Sequence, residues 1–308
     1  MKKETTLVVL AAGMGSRYGS TKQIDAVGSY GETIVDFSIY DAYLAGFRKI
    51  VFIVREAILE DVKAVFDPRL EGKVEVDYVC QELYKIPEKF LENQRTKPWG
   101  TAHAVLMVKD VVQENFCVIN ADDFYGRNAF KMMRNALLEA DEDSYEFSMV
   151  GYLLKNTLSD FGSVSRGECI TGDDQYLEGI TERTHIEKKG DKIFYQQEAS
   201  EVELSPNTVV SMNIWGFTPK VFQKLEEQLN EFLEENYLSE KAEYFLPLVI
   251  NKLIKTNTAT IKVHTTDADW MGVTYKEDKP HVVSEIKRLQ SLGHYPERIT
   301  LQNEFIKG

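Results

Sequence analysis

Three glycines, an arginine and a lysine crowd into LAAGMGSRYGSTKQ, residues 10 to 23. Small residues let backbone N–H groups close on an anion. Arg17 and Lys22 add fixed positive charge to the same loop, a combination suited to a triphosphate whose leaving pyrophosphate must be stabilised. Two standard phosphate loops do not fit. The spacing of Gly13, Gly15 and Gly19 misses the dinucleotide fingerprint by one residue, and neither Gly15 nor Gly19 is followed by the Lys-Ser/Thr of a P-loop. The plainer alternative is a tight strand-to-helix turn with solvated basic residues. A second point of chemistry is Asp122-Asp123 in VINADDFYG. The pair offers hard oxygen ligands for a divalent cation, or a cap for the helix that follows. Arg95 and Lys97 in RTKPWGT either reach phosphate or are solvated before the Pro98 turn.

For these residues to meet, the chain must bring them to one edge. Thr5 to Ala11, Lys49 to Val54, Val74 to Cys80, Phe116 to Ala121 and Tyr145 to Leu154 read as strands, most of them continuously apolar. Between them, residues 34–46, 57–66, 101–108 and 128–140 read as helices, the first closed by Gly46. Buried strands alternating with helices predict an α/β fold. It is Rossmann-like and doubly wound, with a mixed, mostly parallel sheet and helices on both faces. Ligands of such sheets bind beyond the carboxyl ends of the strands, which gathers the first loop, Gln81 and Asn120 to Asp123. The second half is less regular: turn-rich strands over residues 162–197, a helix after Thr218-Pro219, and a tail helix stopping at Gly293. No linker or repeat divides the chain.

The 308 residues are 43% hydrophobic and 28% charged, with a net charge of −13. That acidity argues against a nucleic-acid partner, which needs clustered Lys and Arg. Three separated cysteines have neither metal-ligand spacing nor a disulfide framework, and Cys80 and Cys117 read as buried small hydrophobes. The six-residue apolar run from Leu7 to Ala12 is shorter than the roughly 7–15 of a signal peptide. No stretch reaches the ~20 of a membrane span, so a cytoplasmic protein without membrane partners is expected. The five histidines form no triad or zinc set, although His264 lies near Asp267 and Asp269. No serine sits in a nucleophile elbow.

The first loop resembles the signature of the nucleotidyltransferases that make nucleoside-diphosphate sugars, L-A-[AG]-G-x-G-x-R with a lysine several residues on. Leu10, Ala11, Ala12, Gly13, Gly15, Arg17 and Lys22 match it. With Tyr18 and a short gap to the lysine, it is also similar to cytidylyltransferases acting on choline phosphate. Later segments resemble the same family in order. Gln81 matches a glutamine near the base, and GTAHAV, from Gly100, the G-T-A-x-A helix start. Asp122 matches the metal-binding aspartate, DFGSV a sugar-contacting segment, Glu182 the glutamate of E-K-P, and Asn213 to Phe217 the strand over the sugar. The resemblance covers most of residues 5 to 280.

It implies the nucleotide-diphospho-sugar transferase fold in one domain. Residues 1–150 would be the NTP-binding half, 151–280 the acceptor half and 281–308 a C-terminal helix and tail. It implies transfer of a nucleoside monophosphate from an NTP to a sugar-1-phosphate or similar phosphomonoester, with release of pyrophosphate. Arg17, Lys22 and Asp122 would be catalytic. Ala11, Ala12, Gly13, Met14, Gly15, Ser16, Gln81, Gly100 and Thr101 would bind the nucleotide, and Gly162, Glu182 and Asn213 the acceptor. Mg2+ or a similar cation would be held by Asp122 and Asp123. The second ligand departs from the pattern, because Gly272 stands where the family carries an aspartate. Asp267, Asp269, Asp123 and Thr274 are the substitutes at hand, or phosphates and water complete the shell. Trp215, Trp270 and Tyr275 suit a sugar face or a quaternary ammonium, or else core. Two rivals are a glycosyltransferase using a nucleotide-sugar and a non-catalytic nucleotide-binding module of the same fold. Homo-oligomerisation through the tail after Asp278 stays open.

Overall fold

A computed structural model describes residues 3–13, 26–198, 200–273, 275 and 277–301. The chain runs β1 (Thr6–Leu10), α1 (Ile34–Ala45), β2 (Lys49–Val54), α2 (Leu59–Leu70), β3 (Glu75–Cys80), α3 (Thr101–Leu106) and β4 (Phe116–Asn120). Then follow β5 (Asp123–Phe124), α4 (Arg127–Glu139), β6 (Glu146–Leu153), β7 (Val164–Thr171), β8 (Leu177–Lys189), β9 (Lys192–Gln197) and β10 (Ser200–Leu204). It closes with β11 (Val209–Phe217), α5 (Val221–Asn236), α6 (Leu246–Lys255), β12 (Thr260–Thr266), β13 (Met271–Gly272) and α7 (Asp278–Ser291).

The apolar strands pack as their composition requires. On β1, Leu7 and Val9 face one core with α1, α2, α4 and α7, while Val8 faces the other with α3, α5 and α6. A strand covered on both faces cannot alternate apolar with polar, hence the unbroken TLVVL. Strands β3-β2-β1-β4 are parallel in that order. The register pairs Leu10 with both Ile53 and Asn120, and Val54 with Cys80. Their carboxyl ends therefore finish level. Cys117 is fully buried as expected, but Cys80 is only half-buried, because β3 is the edge of the sheet.

Beyond β4 the sheet changes sense. β11 runs antiparallel to β4, β6 and β7, and β7 to β10 continue as an antiparallel meander, while β12 is parallel to β6. The alternation of strands and helices foretold the parallel half; the meander fell within the turn-rich stretch. Helix α2 starts after a short 3-10 turn and runs through Pro68 to Leu70, one turn past its expected end. No helix among the described residues is long and apolar enough to cross a membrane.

A fully buried carboxylate ties α1 to α4 and the tail. Asp41 accepts from Arg127 Nε at 3.2 Å and from the Tyr295 hydroxyl. Burial outweighs both partners and pushes its pKa up to about 6. The folded chain thus holds a proton that the unfolded chain, with a carboxyl near about 4, has already lost. The resulting stabilisation is full below about pH 4 and disappears as pH rises through about 6. In urea titrations from pH 4 to 7, wild type should lose stability relative to Asp41→Asn by on the order of 1–3 kcal/mol.

Candidate active site

The residues just past the level strand ends are anchored by extensions of the same ladders. Ala11 N donates to Ile53 O at 2.8 Å, Gln81 N to Val54 O at 2.8 Å and Ala121 N to Leu10 O at 3.3 Å. One edge of the sheet therefore carries Ala11 to Gly13, Gln81 and Asp122. Ala12 O accepts from Arg55 Nε at 3.1 Å, a guanidinium at the loop entrance that the sequence did not single out. Met14, Gly15, Ser16, Arg17 and Lys22 lie outside the described residues.

Gln81 is buried, and its amide nitrogen is 3.0 Å from Gly100 O. Gly100 has φ +115°, and a Cβ there would come within 2.6 Å of Tyr244 O. Only glycine lets the Tyr244 backbone pass so close. That segment in turn holds the first turn of α3, through Ala102 N to Tyr244 O at 3.0 Å and Leu246 N to Thr101 Oγ1 at 3.0 Å. Gln81, Gly100 and Thr101 are thus brought together. Arg95 neither reaches toward this edge nor is solvated. It is buried over Trp99 at 4.4 Å, and its guanidinium donates to Lys97 O, Pro98 O and Ser239 O.

Asp122 and Asp123 have opposite surroundings. Asp122 is exposed. Asp123 is buried, with Asn120 Nδ2 donating to its Oδ2 at 2.8 Å and the Tyr125 hydroxyl 3.2 Å from the same oxygen. Burial, and then the neighbouring Asp122 charge, raise the Asp123 carboxyl well above the usual range; Asn120, Arg166 and Tyr125 oppose this. A cation coming from solvent meets Asp122, while Asp123 braces the turn.

Gly272 pairs with Asp123 across β13 and β5. A Cβ on Gly272 would lie 3.1 Å from Asp123 Oδ1 and 2.5 Å from the Trp270 ring. The indole fills the space that a longer side chain would take. Among the described residues no group of three or more His, Cys, Asp or Glu could hold a metal ion, His264 with Asp267 and Asp269 included. Asp122 alone fits a Mg2+ that keeps waters and substrate phosphates as its other ligands, and does not fit a cage made only of protein.

On the antiparallel side of the sheet, β11 breaks register between Ser211 and Trp215. Asn213 sits in that break with φ +60°. Its Oδ1 is 3.4 Å from Trp215 Nε1, and the preceding Met212 O is 2.9 Å from the Tyr125 hydroxyl. Gly162 lies beneath Tyr275, whose ring would be 2.7 Å from a Cβ. Glu182 pairs with Gly167 across β8 and β7. Trp215 is core, whereas Trp270 and Tyr275 are half-buried.

Arg166 is a second arginine that sequence reading missed. It is buried, lies 4.6 Å over Trp270, and donates to Thr157 O and Ser165 O. Burial lowers its pKa to about 10 against the opposing charges of Asp123, Glu182 and Asp278. Glu182 answers in kind: burial raises its carboxyl and Arg166 lowers it. No pattern in FGSVSRGE marks that arginine as buried.

The entrance of a glycine-rich loop, a buried glutamine and an exposed aspartate share the carboxyl edge of a doubly wound, mostly parallel sheet, and together they define an α/β class of protein. The family described as nucleotidyl transferase matches residues 6–275, and the chain belongs to it. Two curated relatives agree. A candidate UTP–glucose-1-phosphate uridylyltransferase of Methanocaldococcus jannaschii is 26% identical over 63% of this chain and 64% of its own length. The bifunctional protein GlmU of Staphylococcus haemolyticus is 24% identical over 96% of this chain and 55% of its own. The chain thus spans less than two thirds of either relative. The solved inositol-1-phosphate CTP transferase from T. maritima has a TM-score of 0.57 at 16% identity, covering 93% of this chain and 97% of that one. HddC from Yersinia pseudotuberculosis has a TM-score of 0.54 at 14% identity, covering 91% and 99%. These likenesses establish the fold.

Restoring an aspartate at position 272 should fail for lack of room. Gly272→Asp is expected to cost about 1–3 kcal/mol in urea unfolding, the usual toll of overpacking, and not to tighten Mg2+ binding measured by titration calorimetry.

Proposed function

We propose that this chain transfers a nucleoside monophosphate from an NTP to a sugar-1-phosphate or a similar phosphomonoester. The observation that carries this reading is the level edge. It puts the Gln81–Gly100 pair, the entrance of the glycine loop and exposed Asp122 in one row, with the bulge at Asn213 joined to it through Tyr125. Family membership supports the transfer chemistry. The sugar-phosphate and inositol-phosphate substrates in the relatives' names support the acceptor class.

In the proposed reaction a phosphate oxygen of the acceptor attacks the α-phosphorus in line. The bond from that phosphorus to the α–β bridging oxygen breaks, and pyrophosphate leaves with the electron pair. The attacking oxygen is already an anion, so positioning and charge neutralisation carry the rate. Arg17 and Lys22 neutralise the triphosphate and the leaving group. Gln81, Gly100 and Thr101 hold the base, and Ala11 to Ser16 wrap the phosphates. Gly162, Glu182 and Asn213 hold the acceptor. Asp122, with substrate phosphates, would hold Mg2+, which would supply further neutralisation of the triphosphate charge.

Pyrophosphate release should require one NTP and one acceptor together, from a panel of the four NTPs and dTTP against sugar-1-phosphates and phosphocholine with Mg2+. Lys22→Ala and Asp122→Asn should each lower kcat/KM by about 100-fold or more while circular dichroism stays unchanged. Near wild-type turnover in both variants would sink the assignment. Nucleoside diphosphate release from a nucleotide-sugar without pyrophosphate would instead favour a glycosyltransferase.

A further inference from the structure

The side chain of Gln81 is held by more than Gly100. Its Nε2 is 3.0 Å from Gly100 O and 3.2 Å from His103 Nδ1. His103, fully buried in α3, places Nε2 2.8 Å from Lys85 O. These distances admit one arrangement of protons. A carbonyl oxygen only accepts, so Gly100 dictates that the amide turns its NH2 inward. Lys85 O likewise dictates that His103 carries its proton on Nε2. Burial drives the His103 pKa down to about 4, so the ring is neutral at pH 7 and Nδ1 keeps a lone pair. That lone pair takes the second amide hydrogen.

Both hydrogens of Gln81 are thereby spent inside the protein. Among the described residues none donates to its Oε1. An unconstrained glutamine exchanges donor for acceptor by a half-turn of its amide. Here the half-turn would set Oε1 3.0 Å from Gly100 O and against the lone pair of His103 Nδ1. It would leave two acceptor pairs facing each other in a buried place, where each unsatisfied group costs about 1–3 kcal/mol.

We infer that Gln81 is a nucleobase reader of fixed polarity, offering only a hydrogen-bond acceptor, and that His103 is the positioning residue that, together with the Gly100 carbonyl, fixes it. This rests on the nucleotidyl-transfer reading above. The nucleotide taken is one whose base directs an imide or exocyclic amino N–H at Gln81 Oε1. A base presenting an acceptor at that point meets oxygen against lone pair and is rejected. His103 touches no substrate and works only through the glutamine.

The test is equilibrium binding, which needs no turnover. The four NTPs and dTTP are titrated calorimetrically into wild-type protein. The tightest is then compared with an analogue whose base-edge N–H is wholly replaced by methyl, such as N3-methyl-UTP for UTP or the N,N-dimethylated base where the donor is an amino group. Wild type should bind the methylated analogue at least about tenfold more weakly. His103→Phe keeps a ring but removes one of the two acceptors, so that only the Gly100 carbonyl still opposes the turn of the Gln81 amide. In that variant the ratio between the best and second-best nucleotide should shrink by about tenfold. Equal binding of parent and methylated nucleotide by wild type overturns the inference, and so does an unchanged ratio between best and second-best nucleotide in His103→Phe. If His103→Phe does not fold, the methylated analogue decides on wild type alone. Wild type that binds none of the five nucleotides overturns the nucleotidyl-transfer reading, and this inference with it.

Discussion

Strand β1 is hydrogen-bonded in parallel to β2 on one side and to β4 on the other, with Leu10 opposite Ile53 and Asn120. A slip of one residue in either ladder would turn every side chain of that strand to the wrong core. Two apolar layers resist the slip, since Val8 belongs to one and Leu7 and Val9 to the other. The same register, carried on to β3 by Val54 opposite Cys80, forces the chain to leave four neighbouring strands at one height. Ala11 to Gly13, Gln81 and Asp122 share an edge because the core cannot be packed in any other phase. Site geometry here is a by-product of apolar burial.

Behind that edge the protein keeps charge where desolvation opposes it. Arg166 rests on carbonyls and an indole face with Asp123, Glu182 and Asp278 in its field. Asp123 has Asn120 and Tyr125. Burial holds Asp123, Glu182 and Arg166 off their ordinary proton affinities; Arg166 brings the two carboxyls part of the way back, and the carboxylates do the same for Arg166. Removing Arg166 would leave Asp123 buried with less compensation, which is usually far costlier than the pair is worth. The network also spans the two halves of the sheet, since Tyr125 reaches Met212 in β11.

Much of the parallel half was legible because a strand buried on both faces writes an unmistakable run, as in KIVFIV and FCVIN. The point where those runs end located Asp122 and Gln81. The antiparallel meander was not legible: its strands mix exposed and buried positions, and turns such as Gly190-Asp191 say nothing about which strand pairs with which. Asp122 and Asp123 are identical in sequence terms. Only the pairing of β5 with β13 separates an exposed carboxylate from a buried one. Arg166 and His103 were illegible for the same reason. Their roles come from carbonyl groups contributed by distant segments, and backbone oxygens leave no mark on a sequence.

The left-handed backbone at Asn213 has a consequence for how that position can vary. Few side chains tolerate φ near +60°; glycine does so freely, and asparagine and aspartate more easily than the rest. The bulge and any polar contact to a ligand therefore select from the same short set of residues. A scan with alanine or a β-branched residue would register backbone strain and lost contact as one number. Asn213→Gly keeps the turn of the chain and deletes only the amide, and Asn213→Asp keeps the turn and changes only the charge. Between them these two replacements separate what the strand needs from what the side chain does.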